Sequence, residues 1–167
     1  MHIALDRLRE MLNYDCDTGL FSWRKRPNRS TIQAGAQCGS LDRYGYAQIH
    51  VDGRRILAHR AAWAFHYGQY PDQEIDHING IKADNRICNL RLATAAENAA
   101  NKGVSVRNTS GHKGVTMHKD GKWQAQLQHA GKNHYLGLFS DVLQAAAAYS
   151  AKARELHGDF VNTGYTP

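Results

Sequence analysis

Apolar positions recur along this chain with two periods, and each change of period marks a predicted element. Leu5, Leu8 and Leu12 fall at helical spacing, so residues 3–13 are read as a short amphipathic helix. Asp15-Cys16-Asp17-Thr18-Gly19 is a turn, and Leu20 to Trp23 follows as a strand. Residues 44–58, YGYAQIHVDGRRILA, alternate on either side of Asp52-Gly53, a hairpin signal of the type I′ kind. HRAAWAFHY (59–67) then reads as a helix that sets Trp63 and Phe65 or Tyr67 on the sheet, with Pro71 ending it. A strand from Glu74 to Ile78 runs into the Asn79-Gly80 turn. Ile87, Leu90 and Leu92 carry the return strand, with Asn89 between them. Thr94 and Glu97 have capping-box spacing and open a helix over 95–102.

Beyond Gly114 the pattern becomes three short strands (113–118, 122–128 and 133–139), with turns at Asp120-Gly121 and Gly131. A helix from Asp141 to His157 follows, with Ser140 as candidate N-cap and Gly158 just past its end. Val142, Ala146, Tyr149, Ala153 and Leu156 form its apolar stripe, facing Trp123, Ala125 and Leu127 of the middle strand. The opposite face of the sheet carries Lys113, Thr116, His118, Gln124, Gln126, Gln128, Asn133 and Tyr135. That set of donors and acceptors is poor in carboxylates, which suits DNA bases and phosphates. The fold class is α+β, with one domain over 1–103, a linker over 104–112 and a small sheet-and-helix domain over 113–167.

Charge supports a polyanionic partner. The 167 residues hold 21 Lys and Arg against 15 Asp and Glu, a net +6. The shorter C-terminal part is the more basic: 13 cations face 11 anions up to residue 100, and 8 face 4 after it. Arg60, Arg86, Arg91, Lys102, Arg107 and Lys122 are the cations expected on a phosphate backbone. Arg24-Lys25-Arg26, with Arg29 close behind, is either a solvated face or a further phosphate contact. Cys16, Cys38 and Cys88 are odd in number and lack a C-x-x-C pair, which argues against a disulfide framework and a structural zinc; they are read as reduced and mostly packed. Neither a signal peptide nor an apolar run of membrane-spanning length is present, so a cytoplasmic protein is expected; a monomer with no obligatory protein partner is expected as well.

The densest chemistry lies between Glu74 and Asn101. Asp76 is a potential ligand for a hard cation, and the adjacent His77 a potential proton acceptor. Successive strand side chains point to opposite faces, so the two can serve one point only where the strand twists or ends. His59 and His66 are seven apart with no matching partner pair, and are read as packing or hydrogen-bonding groups rather than ligands.

Two families are resembled. The blocks His59-Arg60, I-D-H-I-N-G, D-N-R-I-C-N-L-R and E-N-A-A-N, taken in order, resemble the HNH endonucleases of the phage and intron-homing kind, over roughly residues 1–103. The resemblance implies a ββα-metal (His-Me finger) domain that hydrolyses DNA phosphodiester bonds, leaving 5′-phosphate and 3′-hydroxyl ends. It implies Asp76 as metal ligand, His77 as general base and Asn89 as the Asn that supports the loop. It also implies an HNHN-type site, with Asn98 in place of the final His on a Mg²⁺ or Mn²⁺ ion and Asn101 as the alternative ligand. The blocks S-G-H-K-G-V, G-K-W-Q-A-Q-L, Y-L-G-L-F, A-A-A-A-Y and H-G are similar to the ethylene-response-factor DNA-binding domain of plants, over about residues 108–163. That likeness implies a three-stranded sheet docked in the major groove of double-stranded DNA. Where the plant family sets arginines on its sheet, this chain has Thr116, His118, Gln128 and Asn133, so base specificity does not carry over. The rival from another class is a DNA-binding regulator with an inactive nuclease domain.

Overall fold

The computed structural model describes residues 3–27, 31–105 and 107–162, so Arg29 of the basic cluster lies outside the described residues. Contacts divide the chain into two compact units, Met1–Thr94 and Ala95–Pro167.

In the first unit, helix α1 (Leu5–Met11) buries Leu8 and Met11. It stops two residues short of the expected end at residue 13, because Leu12 turns extended and opens strand β1 (Leu12–Tyr14). β1 pairs antiparallel with β2 (Phe21–Trp23), which makes Asp15–Gly19 a hairpin turn. Within it, Asp15 Oδ1 accepts from the backbone N–H groups of Asp17 and Thr18, and Gly19 takes a left-handed φ of 73°. Two short strands that sequence periodicity did not reveal come next: β3 (Gln37–Cys38) on β2, and β4 (Ser40–Leu41) on β5 (Ala47–Val51). Two residues cannot display a period. β5 pairs with β6 (Arg54–Leu57), and Asp52 and Gly53 between them both have positive φ, as a type I′ turn requires.

Helix α2 (Ala58–Tyr67) buries Ala58, His59, Ala61, Ala62 and Ala64, and Phe65 meets the Phe21 ring edge-on. Tyr67 stays about half exposed, its ring tilted against that of Trp63 with centroids 4.3 Å apart. The helix ends at Gly68, whose left-handed backbone lets its N–H reach the carbonyl of Ala64. The stop is therefore this glycine, ahead of Pro71. Strand β7 (Glu74–His77) pairs antiparallel with β8 (Leu90–Ala93), placing Asp76 opposite Arg91 and His77 opposite Leu90. Ile87–Asn89 forms a 3₁₀ turn instead of joining the return strand. The reason is Asn89, which is taken up by the loop: its Oδ1 accepts from the N–H of Asn79 and its Nδ2 donates to the carbonyl of Asp84. Leu8, Leu12, Ile49 and Val51 anchor the core of this unit. Cys38 is partly packed, but Cys16 and Cys88, on the turn and the 3₁₀ segment, are exposed, and none of the three is in a disulfide.

The second unit opens with helix α3 (Ala95–Asn101), which starts directly after Thr94. Residues 108–112, expected as linker, are pinned ahead of the sheet: Ser110 Oγ donates to the carbonyl of Val115, and Asn108 Nδ2 to that of His112. Strands β9 (Val115–Met117), β10 (Trp123–His129) and β11 (Lys132–Phe139) form an antiparallel sheet in the order β11-β10-β9. Helix α4 (Val142–His157) covers one face. Its N-cap is Asp141, whose side chain accepts from the N–H of Leu143 at 2.7 Å, so the cap falls one residue after Ser140. Val115, Ala125 and Leu127 are buried with Ala145, Ala146, Tyr149 and Ala153. Ala125 pairs with Gly137 but Gln126 with Tyr135, so Leu136 is an extra, bulged residue that turns into the apolar cluster. None of the described helices is long and apolar enough to cross a membrane.

Gly114 is the tightest point of this unit. A Cβ there would collide with the Tyr149 ring and lie 2.6 Å from the carbonyl oxygen of Gln126, at a φ of 70°. Gly114→Ala is expected to cost about 1–3 kcal/mol from overpacking and roughly 1 kcal/mol more for the left-handed backbone. Urea denaturation followed at Trp123 should show the loss, and an unchanged midpoint would mean the helix is not held this close.

Candidate active site

β7 has only four residues, and its end solves the geometric problem of an adjacent Asp and His. Asp76 sits inside the ladder, whereas His77 is the last paired residue before the chain turns. Beyond it, the N–H of Gly80 reaches the carbonyl of His77, and the N–H of Ile78 reaches that of Asn89. Both side chains are buried, Asp76 at 3% and His77 at 5% exposure. An ionised carboxylate at that depth must be compensated. Arg91, directly across the ladder, does so: its Nε donates to Asp76 Oδ2 at 2.8 Å and its Nη2 lies 2.7 Å from the same oxygen.

His77 is surrounded differently. Its Nε2 lies 3.2 Å from Oδ1 of Asn85, a residue only 2% exposed. The His59 ring meets it edge-on with centroids 5.2 Å apart, and Tyr46 packs against both imidazoles. Burial lowers the His77 pKa, against the opposing pulls of the Asn85 hydrogen bond and the Asp76 charge. His77 is therefore neutral near pH 7, the form that can accept a proton. Burial is stronger at His59, whose pKa is pushed down to about 3, with the His77 and Arg60 charges adding to the effect. Its Nδ1 is buried without a hydrogen-bond partner among the described residues.

His59 makes the first unit acid-sensitive. The unfolded chain takes up its proton near 6.5 and the folded one near 3, so between those values unfolding binds a proton. The stabilisation is complete above about pH 6.5 and falls by up to about 1.4 kcal/mol per pH unit as pH drops. From pH 7 to pH 5 the loss from His59 alone should be about 2 kcal/mol, with His77 shifted in the same direction. Comparing urea midpoints of the wild type and His59→Gln tests this: the variant's profile should be flatter, and parallel profiles would exclude His59.

The remaining predicted residues are placed as follows. Asn89 clamps the two ends of the Asn79–Asp84 loop. Asn98 stands partly exposed on α3, in the second unit, and Asn101 is buried on the same helix. Several of the expected DNA-binding cations are engaged within the fold. Arg60 donates to the carbonyls of Pro71 and Gln73, steadying the entry to β7. Arg86 is bidentate on Asp84, whose carboxyl it holds down at about 2. Arg91 is the Asp76 partner, and Lys113 Nζ donates to the carbonyls of Ala100 and Lys102, capping the C-terminal end of α3. Lys102, Arg107 and Lys122 are exposed. On the sheet, Thr116 faces Gln124, Gln126 faces Tyr135 and Gln128 faces Asn133, so the polar residues share one face. Amide contacts run along it, from Gln124 and Asn133 to Gln126 Oε1. His118, partly buried, pairs with Asp120.

Asn85 and the Asp76–Arg91 pair are what sequence reasoning missed. The run from Asn79 to Asn89 is rich in amides, and no spacing rule distinguishes Asn85 from its neighbours. Oxygen donors such as the Asp76 carboxylate and the Asn98 amide are of the kind that Mg²⁺ takes. No group of three His, Cys, Asp or Glu capable of holding a metal occurs among the described residues.

Comparison with known proteins agrees with this chemistry. The family pattern described as HNH endonuclease matches residues 57–100, which include His59, Asp76, His77, Asn85, Asn89 and Asn98. The chain is 35% identical over 120 residues to Protein 3.8 of Escherichia phage T7, spanning 71% of this chain and 96% of the phage protein. It is 36% identical over 122 residues to the uncharacterized HNH endonuclease L560 of Acanthamoeba polyphaga mimivirus, covering 72% of this chain and 63% of that protein. A shorter match, 41% identical over 63 residues, is to the rice APETALA2-like protein 2; it covers 36% of this chain and 14% of the plant protein. No solved structure matches. The family pattern over residues 57–100 and a relationship that spans nearly all of a phage protein lead to one conclusion: the chain carries an HNH endonuclease domain, the kind found in metal-dependent DNA nucleases, and shares a family with the phage protein.

Proposed function

We propose that this protein is a homing-type, site-preferring endonuclease that hydrolyses phosphodiester bonds in double-stranded DNA with His77 as general base. The observation that carries the reading is the neutral, buried His77 at the end of β7, beside Asp76 and hydrogen-bonded to Asn85. In this reading Asp76 and Asn98, within a ββα-metal arrangement, would hold one divalent cation, Mg²⁺ or alternatively Mn²⁺. When bound, the cation offsets charge that builds up on the phosphate and on the departing oxygen. His77 takes the proton of the attacking water, a step worth about 10²–10⁴-fold. Asn89 keeps the loop after β7 closed, and Arg91 holds the Asp76 carboxylate in place.

Site choice is assigned to the second unit. The polar row Thr116, Gln124, Gln126, Gln128, Asn133 and Tyr135 offers amide, hydroxyl and phenol groups in sheet register. Such groups can reach base edges in a major groove. Its resemblance to a plant DNA-binding domain and the excess of basic residues support this assignment. The protein would act as a monomer on DNA in the cytoplasm of a bacterial or phage-infected cell.

A supercoiled plasmid incubated with the full-length protein and Mg²⁺ tests the activity. Conversion to nicked or linear product is expected, abolished by a chelator and weakened by salt as phosphate contacts are lost. An intact plasmid at every salt concentration would leave only a DNA-binding role.

A further inference from the structure

We propose that Asn85 is the positioning residue that sets the tautomer of His77, placing the ring proton on Nε2 and leaving Nδ1 as the basic nitrogen. The inference rests on His77 being the base but is argued from hydrogen-bond polarity alone. Asn85 has one donating and one accepting end, and the backbone decides which is which. Its Nδ2 lies 3.0 Å from the carbonyl oxygen of Ala83, an atom that can only accept. The end of the amide facing Ala83 must therefore be the NH₂, and the end facing His77 must be the oxygen. That oxygen, 3.2 Å from His77 Nε2, can only accept in turn, so Nε2 must carry the hydrogen. One backbone carbonyl thus dictates, through one amide, where the lone pair of the imidazole lies.

The amide is itself held in place by the N-terminal hairpin. Tyr14 Oη donates to the Asn85 carbonyl at 2.7 Å, and the N–H of Ile87 points to the carbonyl of Cys16. The Asp15–Gly19 turn is seated against the backbone of Asn85 and Arg86 so closely that a Cβ on Gly19 would lie 2.6 Å from the Asn85 carbonyl carbon. On the other side, the Asn89 amide donates to the carbonyl of Asp84. At 2% exposure Asn85 is shielded from bulk solvent. Flipping it would set an amide oxygen against the Ala83 carbonyl and an NH₂ against the His77 N–H, leaving buried groups unsatisfied.

Long-range ¹H–¹⁵N correlation spectra of the full-length protein, at a pH above the ordinary imidazole value, read the tautomer directly. The wild type should show His77 with a protonated Nε2 and an unprotonated Nδ1. A His77 proton on Nδ1 in the wild type would overturn the proposal without touching the nuclease reading. Asn85→Leu, which keeps the volume and loses both polar ends, should give a tautomer mixture and lower kcat by about 10–100-fold, the range for lost partners of an active-site group. KM for a duplex substrate should be unchanged. Asn85→Asp retains an acceptor toward Nε2 and should recover the Nε2–H form and part of the rate; it also decides the matter if the leucine variant does not fold. A preserved tautomer and rate in a folded Asn85→Leu protein would overturn the role of Asn85. A shifted tautomer at an unchanged rate would uphold the positioning and instead remove His77 as the base.

Discussion

His77→Ala should lose DNA cleavage by about 10²–10⁴-fold while its affinity for the same duplex stays within about twofold of wild type. The two readouts separate because His77 is buried beside Asp76, Asn85 and His59 and is not one of the exposed cations or sheet residues assigned to binding. Removing the imidazole takes away the proton acceptor but no phosphate contact. Plasmid nicking and fluorescence anisotropy on one preparation measure both quantities. Cleavage at the normal rate would require a different base. A parallel loss of affinity would mean that His77 holds the loop rather than the proton.

Replacing Arg91 by Met should destabilise the first unit by about 3–5 kcal/mol, the cost of leaving a buried carboxylate without its ionic partner. The pair is well inside the fold, with side-chain exposures of 17% for Arg91 and 4% for Asp76. Met preserves the stem's volume, so the effect is one of charge. If Asp76 is a metal ligand, the variant should also gain more from a divalent cation than the wild type does. The cation then supplies the compensation that the guanidinium gave, and ligand-linked stabilisation grows with affinity. Thermal unfolding with and without Mg²⁺ makes the comparison. An Arg91→Met protein as stable as wild type would show that Asp76 is compensated elsewhere, and an equal Mg²⁺ response in both would take Asp76 out of the metal site.

Much of this was legible in the chain because it is written locally. Asp52-Gly53 needs only its two neighbouring strands to become a type I′ turn. The alternation from Trp123 to Gln128 sorts the packed face of β10 from the polar one, whatever covers it. Asp76-His77 announces its chemistry by adjacency. Features that depend on a competing local option were read less well. Gly68 ended α2 before Pro71 could, Asp141 took the cap from Ser140, and the loop claimed Asn89, drawing Ile87–Asn89 into a 3₁₀ turn.

The sequence by itself determined the type of the longer elements, the two periodic faces of the C-terminal sheet, and which Asp and His stand together as candidates for the chemistry. Only the tertiary structure decided which charges were already spent. Arg60, Arg86, Arg91 and Lys113 look alike in the sequence as free cations, yet each finds a carbonyl or carboxylate in the fold. Likewise, one amide among several became the partner of His77. Such pairings depend on strand register and on buried groups having to find partners of the right polarity. Neither is set by any residue's neighbours along the chain, because both are settled only when distant segments are packed and water is excluded.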